Sequence, residues 1–399
     1  MMYIPQTLLF GAFCIWTNTA LPAAEQYERI IAVQGPQVLN FLRTFETFQE
    51  KVNLIDTSPQ HKVLVDGLDN VIPELMAELN GVPVPSEWRT FDTEWKRSLG
   101  HLGNAYLLIF RSPPEQFLDA FLHSRREFTE ASYRLYAVRA RVPKLREYWL
   151  QSDATGEPAT VEARTTNDAV RTGFTHHKPA ATRAAYSTYV PESYDPKQSW
   201  PLVIALHGSH GSGAEYLLTW LRPAKRHGYI VLSPKSLDST WSIEQPSDDI
   251  RSILVMLKEV AEAYSINMDR IFVSGLSDGG TFSYALGLHC PNLFAGIAPI
   301  AAALPHRYPL DRAKNLPVLL VHGAQDSIFP VTIARAAYTQ FKGKHFRDVS
   351  YIELPRWGHA YTYSINELHL ISWFDTRAKI SWTATTKNRT DKFNCSRLD

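Results

Sequence analysis

Cysteine is scarce. The chain has three in 399 residues, Cys14, Cys290 and Cys395. So few, so far apart, exclude a disulfide framework and any paired metal spacing. Cys290 reads as an inert small hydrophobe at the end of a buried helix. Charge of one sign is lacking too: the formal net charge is +1. That excludes a general electrostatic draw toward nucleic acid or an acidic partner. Long hydrophobic runs are missing. The apolar run Leu8 to Trp16 is too short to cross a bilayer, and no other segment reaches that length, so no stable membrane insertion is expected. No internal repeat is visible. His176 and His177 are adjacent, which is poor geometry for one metal on a regular element. No metal site and no cofactor is expected.

The chain does have an ordinary globular composition, 45% hydrophobic and 20% charged, over a length that suits two or three domains. Residues 1–24 carry the short apolar run and then Ala20, Ala23 and Ala24. They read as a candidate signal peptide, which implies export to a periplasm or the outside; a buried N-terminal helix and a cytoplasmic protein are the alternative. Residues 25–151 read as helical, with Ile30, Ile31, Val33, Val38, Leu39, Phe41 and Leu42 at helical spacing. Pro113-Pro114 marks the start of a long helical segment, which Pro143 interrupts. The second half of that segment is rich in arginine, from Arg125 to Arg146. It reads as a solvated helix face, or as a docking surface for an anionic partner. Residues 152–184 are polar and read as a linker or a crossing strand. Residues 379–399 form a polar tail with two N-x-S/T triplets, at Asn388 and Asn394.

From about residue 185 the texture changes. Continuous apolar runs (Tyr186–Val190, Leu202–Leu206, Ile230–Ser233, Ile271–Ser274, Gly296–Ile300, Val318–Val321, Val349–Leu354) alternate with helix-like segments. Continuous rather than alternating apolar strands are buried on both faces, so the expectation is a mostly parallel, doubly wound α/β sheet. In such sheets the ligand crevice lies outside the carboxyl ends of the strands.

Three strand ends carry chemistry. Gly275-Leu276-Ser277-Asp278-Gly279 fits G-x-S-x-G between a strand and a helix, where a tight turn needs neighbours without side chains. Asp326 comes after the strand Val318–Val321. His359 comes after Tyr351–Leu354, in Trp357-Gly358-His359. The order Ser277, Asp326, His359 is nucleophile, acid, base. Asp311 is a less well placed acid, and His322 reads as packed. Asp248 and Asp249 are explained by a helix start. After Leu202–Leu206 comes His207-Gly208-Ser209-His210-Gly211. It can aim backbone N–H groups at a developing oxyanion. The donors expected are the N–H of Asp278 and of Ser209, with Gly208 as the alternative for the second. Trp241, Trp357 and His210 are candidate substrate-binding residues; packing is an equal reading for the two tryptophans.

Residues 185–378 resemble the α/β-hydrolase fold. Within it they are similar to the compact phospholipase/carboxylesterase group, which includes acyl-protein thioesterases, feruloyl esterases and polyhydroxybutyrate depolymerases. The stretches carrying the resemblance are LVIALHGSHGSG, RIFVSGLSDGG, VLLVHGAQDSIFP and WGHAY. Thioesterase-like members usually have Gln after the nucleophile. Asp278 stands there instead, which leans toward a general esterase. The resemblance implies a serine hydrolase acting through an acyl-enzyme on a small-molecule or polymer-attached ester. A serine peptidase of the same fold, or an interaction protein working through its helical half, are the alternatives. Only about sixteen residues, 301–316, separate two strands where a lid is often inserted. No lid is therefore expected, and the cleft is open unless the helical half, expected to be a separate region, covers it. Nothing in the sequence indicates an oligomeric state.

Overall fold

Eight strands form one sheet in the order β1-β2-β4-β3-β5-β6-β7-β8. They are β1 Gly173–His177, β2 Tyr186–Val190, β3 Trp200–Leu206, β4 Ile230–Pro234, β5 Ile266–Leu276, β6 Gly296–Ile300, β7 Val318–Gly323 and β8 Val349–Leu354. The last six run parallel, and β1 and β2 pair antiparallel at one edge. The computed structural model describes residues 22–53, 63–64, 66–150, 171–178, 184–378 and 395. The candidate signal run, most of the 152–184 segment and both N-x-S/T asparagines lie outside the described residues. Within the 152–184 segment, the crossing-strand reading applies to residues 173–177, which form the edge strand β1.

The apolar runs explain the sheet. β2, β4, β6 and β7 are buried at every position, which requires cover on both faces. On one face lie α8 (Ser247–Ala263), α9 (Asp278–His289) and α10 (Val331–Gly343). On the other lie α6 (Gly213–Leu217), α7 (Leu221–His227), α11 (Tyr363–Ile365) and α12 (Ile371–Asp375), the last two joined by a π turn. The connection from β6 to β7 holds no more than a 3₁₀ turn, Leu310–Arg312. No lid is inserted there.

The N-terminal part is helical: α1 (Ala23–Lys51), α2 (Val71–Asn80), α3 (Arg89–Phe110), α4 (Phe117–Val138) and α5 (Pro143–Leu150). Pro114 opens a 3₁₀ turn just before α4, and Pro143 starts α5. The N-terminal helical region packs directly on the sheet-bearing part. One apolar cluster runs from Phe41, Phe45 and Phe128 through Tyr148, Trp220 and Tyr363 to Phe272 in the sheet, so the two parts share a core.

The arginine-rich face is not simply solvated. The buried Arg125 donates to Glu215 on α6 at 3.1 Å, and Arg139 donates to Glu192 at 3.0 Å. Lys225 on α7 donates to the other oxygen of Glu192 at 2.7 Å. Part of this face is thus paired with the chain's own sheet-bearing part, while Arg134 pairs with Glu94 on α3 at 2.6 Å.

Cys290 is corrected as well. It closes α9 and is disulfide-bonded to Cys395, with Cα atoms 5.2 Å apart. The bond is invisible to spacing, since the two are 105 residues apart.

Candidate active site

Ser277 sits between β5 and α9 with φ 58° and ψ −121°. A side chain at positive φ is uncommon and strained, and it is held there by its neighbours. The Ser277 N–H donates to Ile300 O at 3.0 Å, and its carbonyl accepts the Thr281 N–H at 2.8 Å. The flanking glycines are steric requirements. A Cβ on Gly279 would collide with the carbonyls of Leu206 and His207, and one on Gly275 would meet the Gly279 carbonyl. The start of α9 is thereby pressed against the end of β3, and the loop after β3 lies against the serine turn. A Cβ on Gly208 would be 3.5 Å from Ser277 Cβ. The Asp278 carboxylate accepts from Thr240 Oγ1 at 2.6 Å, which ties the turn to the loop after β4.

The loop after β3 is braced from below. His207 is fully buried; its Nδ1–H donates to Gly208 O at 2.7 Å and its Nε2 accepts the Ser236 N–H at 3.1 Å. Those partners assign the neutral Nδ1–H tautomer, because a carbonyl only accepts and an N–H only donates. Burial pushes the imidazole down to about 3, with the Lys235 and Arg125 charges adding to it and the Gly208 bond opposing. Trp241 is 2% exposed, donates to His207 O at 2.8 Å and stacks on Phe282. It therefore packs under the loop, and the cleft-lining reading is corrected. His210 is exposed at φ 55°; its N–H donates to Ser239 O, and its carbonyl accepts from Arg126 at 3.4 Å. Among the described residues, the N–H groups of Asp278 and Ser209 have no acceptor, so both are free to donate.

Asp326 and His359 meet. His359 Nδ1 donates to Asp326 Oδ2 at 2.8 Å, while Oδ1 accepts the N–H groups of Ile328 (2.9 Å) and Phe329 (2.7 Å). Burial alone would raise this carboxyl. The bond and charge of His359, with the two N–H groups, outweigh burial and hold it below its ordinary value. The arrangement leaves His359 Nε2 as the ring's open nitrogen. The ring's edge is fixed by Phe329, 5.5 Å away and perpendicular. His322 Nε2 donates to Phe329 O at 2.7 Å, lies 3.4 Å from Asp326 Oδ2 and is buried, so it props the acid loop from beneath. Asp311 is on the surface, paired with Lys344.

The loop bearing His359 runs back across the sheet. Trp357, half-buried, lies at the end of β7, where its carbonyl accepts the Gln325 N–H at 2.8 Å. Tyr361 lies beside Tyr216 on α6, ring centroids 6.1 Å apart. His359 lies between them in the chain, and β5 and β6 lie between β7 and β3 in the sheet order. Asp326 and His359 are thus joined by a hydrogen bond, while none joins Ser277 Oγ to His359 among the described residues.

Several contributors carry no sequence signal. Thr240 and Phe329 are examples; Asp249, read as a helix-start residue, also accepts the Leu237 and Ser242 N–H groups and so shapes the loop holding Trp241. No group of three or more His, Cys, Asp or Glu able to hold a metal ion occurs among the described residues. Likewise, no described helix is long and apolar enough to cross a membrane.

Known proteins share the sheet-bearing part. Residues 232–368 match the family model described as phospholipase/carboxylesterase. The chain is 28% identical over 167 residues to a bifunctional acetylxylan esterase/xylanase of Neocallimastix patriciarum, covering 40% of this chain and 23% of that protein. It is 32% identical over 113 residues to poly(3-hydroxyalkanoate) depolymerase C of Paucimonas lemoignei, covering 25% and 27%. It is 26% identical over 123 residues to feruloyl esterase B of Neurospora crassa, covering 28% and 41%. The chain thus spans less than half the length of these curated relatives. Among solved structures, a ferulic acid esterase from Anaeromyces mucronatus aligns at 16% identity with a TM-score of 0.44, covering 54% of this chain and 94% of that one. The sheet-bearing part has the α/β-hydrolase fold and resembles the phospholipase/carboxylesterase group.

Proposed function

From a chain whose sheet-bearing part resembles the phospholipase/carboxylesterase group, we propose a serine hydrolase of carboxylic esters, with Ser277, His359 and Asp326 as its triad. Ser277 Oγ attacks the ester carbonyl while His359 Nε2 takes its proton. The C–O bond to the alcohol breaks, and the alcohol leaves with that proton. Water then attacks the acyl-enzyme by the same route and frees the acid. Asp326 holds the imidazole in the Nδ1–H tautomer and stabilises its cation. The N–H groups of Asp278 and Ser209 receive the oxyanion.

The observation that supports this reading is the 2.8 Å bond from His359 to Asp326, with Ser277 in the strained turn between β5 and α9. Esters attached to a polymer are the substrate class favoured. The short β6–β7 connection leaves that side of the cleft without a lid, and the relatives' names specify polymer-linked esters. The disulfide supports export, since such bonds persist in oxidising compartments.

The test is hydrolysis of p-nitrophenyl esters from acetate to palmitate, by wild type and Ser277→Ala. Turnover should fall by on the order of 10⁴-fold or more in the variant. Equal turnover by both proteins would remove Ser277 from the mechanism.

A further inference from the structure

The loop between β8 and α11 carries His359, yet part of what holds it comes from the other end of the chain. The Tyr361 N–H donates to the carbonyl of Gln49 at 3.2 Å. The Ser364 N–H donates to the Glu50 carboxylate. A Cβ on Gly358 would sit 3.6 Å from the Val52 carbonyl. Residues 49–52, the last turn of α1 and its cap, therefore touch the loop before and after His359. Tyr361 lies between His359 and α11 and Ser364 in α11 itself, so the two bonds hold the far end of the loop and the helix that follows it. The grip is reinforced from α4, where the Arg125 guanidinium lies 3.7 Å from the centroid of the Tyr361 ring.

Glu50 is an unusual choice for a mere contact. It sits at the C-terminal end of α1, where the helix dipole opposes negative charge. Glu46, one turn earlier, faces the same region. Arg222 on α7 is the neighbouring cation, and it is shared with Glu46 and Glu367. Burial, first, and the charge of Glu46 push the Glu50 carboxyl up to about 7, against the pull of the Ser364 N–H and Arg222. A glutamine could accept the same N–H without any of this opposition. An alanine would leave the Ser364 N–H without its acceptor.

We propose that the last turn of α1, acting through the Glu50 carboxylate, positions the loop that carries His359, so that the helical half is a positioning element of the reaction centre. This rests on the reading of His359 as the general base. Glu50 touches no reacting atom; it acts through the loop. Removing the acceptor lets the loop drift, and displacements of an ångström in catalytic groups are costly in rate.

The experiment compares wild type, Glu50→Ala and Glu50→Gln on the full-length protein, with Ser277→Ala as control. Two readouts are used. On a p-nitrophenyl ester, Glu50→Ala should lose on the order of 10-fold or more in kcat with KM within about twofold, and Glu50→Gln should recover most of the loss. By NMR without any ester, the low-field His359 Nδ1 proton should broaden or vanish in Glu50→Ala and return in Glu50→Gln. A Glu50→Ala protein with kcat within twofold of wild type and an unchanged proton signal overturns the proposal. So does a loss shared equally by the glutamine variant. If Ser277→Ala is as active as wild type, the esterase reading fails. The proton signal then still decides whether Glu50 holds the loop.

Discussion

Replacing Glu50 by glutamine should make the protein more stable, and only at the alkaline side. In the folded chain the carboxyl is pushed up to about 7 from an ordinary 4.5. A raised carboxyl binds its proton more tightly in the folded state than in the unfolded one. Its contribution is therefore full below pH 4.5, declines as pH rises, and is gone above about 7. That interval, at about 1.4 kcal/mol per pH unit, gives an upper value of about 3 kcal/mol. Glu50 is partly exposed, and solvent screening lowers this to about 2 kcal/mol. Glutamine keeps an acceptor for the Ser364 N–H and does not titrate. Urea unfolding of wild type and Glu50→Gln at pH 5, 6, 7 and 8 isolates the effect, because every other titrating group is common to both. The variant should gain about 2 kcal/mol on wild type between pH 5 and pH 8, with the gain flattening above 7. A difference between the two proteins that is the same at pH 5 and pH 8 would refute the reasoning.

The buried charges give two further expected outcomes. Arg222 donates to both oxygens of Glu46, at 2.9 and 3.0 Å, in a buried setting at the junction of the two halves. Arg222→Met alone should cost about 3–5 kcal/mol in unfolding free energy, while Arg222→Met with Glu46→Leu should cost far less; a double variant as weak as the single one would contradict this. His207, held near 3 by burial, should remain neutral with its proton on Nδ1 from pH 7 down to 5 in imidazole ¹⁵N spectra. Its folded pKa is depressed, so its contribution to stability is full above 6.5 and is lost as pH falls toward 3; titration above pH 5 would contradict the assignment.

Much of the sheet is legible in the sequence because buried parallel strands are unbroken apolar runs. Gly296–Ile300, buried throughout, has the same bounds as apolar run and as strand; Tyr186–Val190 and Val349–Leu354 match too, although the first is antiparallel and the second, at the sheet edge, is half-buried and carries Ser350 and Glu353. The lower end of β5 is not legible: Ile266 to Arg270 is mostly polar, and it pairs at a bulge beside Trp200. β1 is legible only as one of two readings of a polar segment, because an edge strand of five residues needs no apolar run to mark its bounds. At the candidate site, Ser277, Asp326 and His359 can be picked out because each comes after its own strand. Arg125, Glu215, Glu50 and the Cys290–Cys395 bond cannot. Each works through a partner about 90 residues or more away, and nothing local encodes such a pairing. Trp241 is ambiguous for a different reason. A tryptophan in a loop fits cleft or core until its indole N–H is seen to be engaged.

The matched charges at the junction amount to a lock. Glu192 and Glu215 on one side meet Arg139 and Arg125 on the other, while Arg222 meets Glu46 in the opposite sense. A graft that joined this helical half to a related hydrolase scaffold would bury several of these charges without their counterparts. The interface would then reject the foreign scaffold even if its apolar surface fitted. Such an exchange should therefore succeed only where both sides of the lock are moved together.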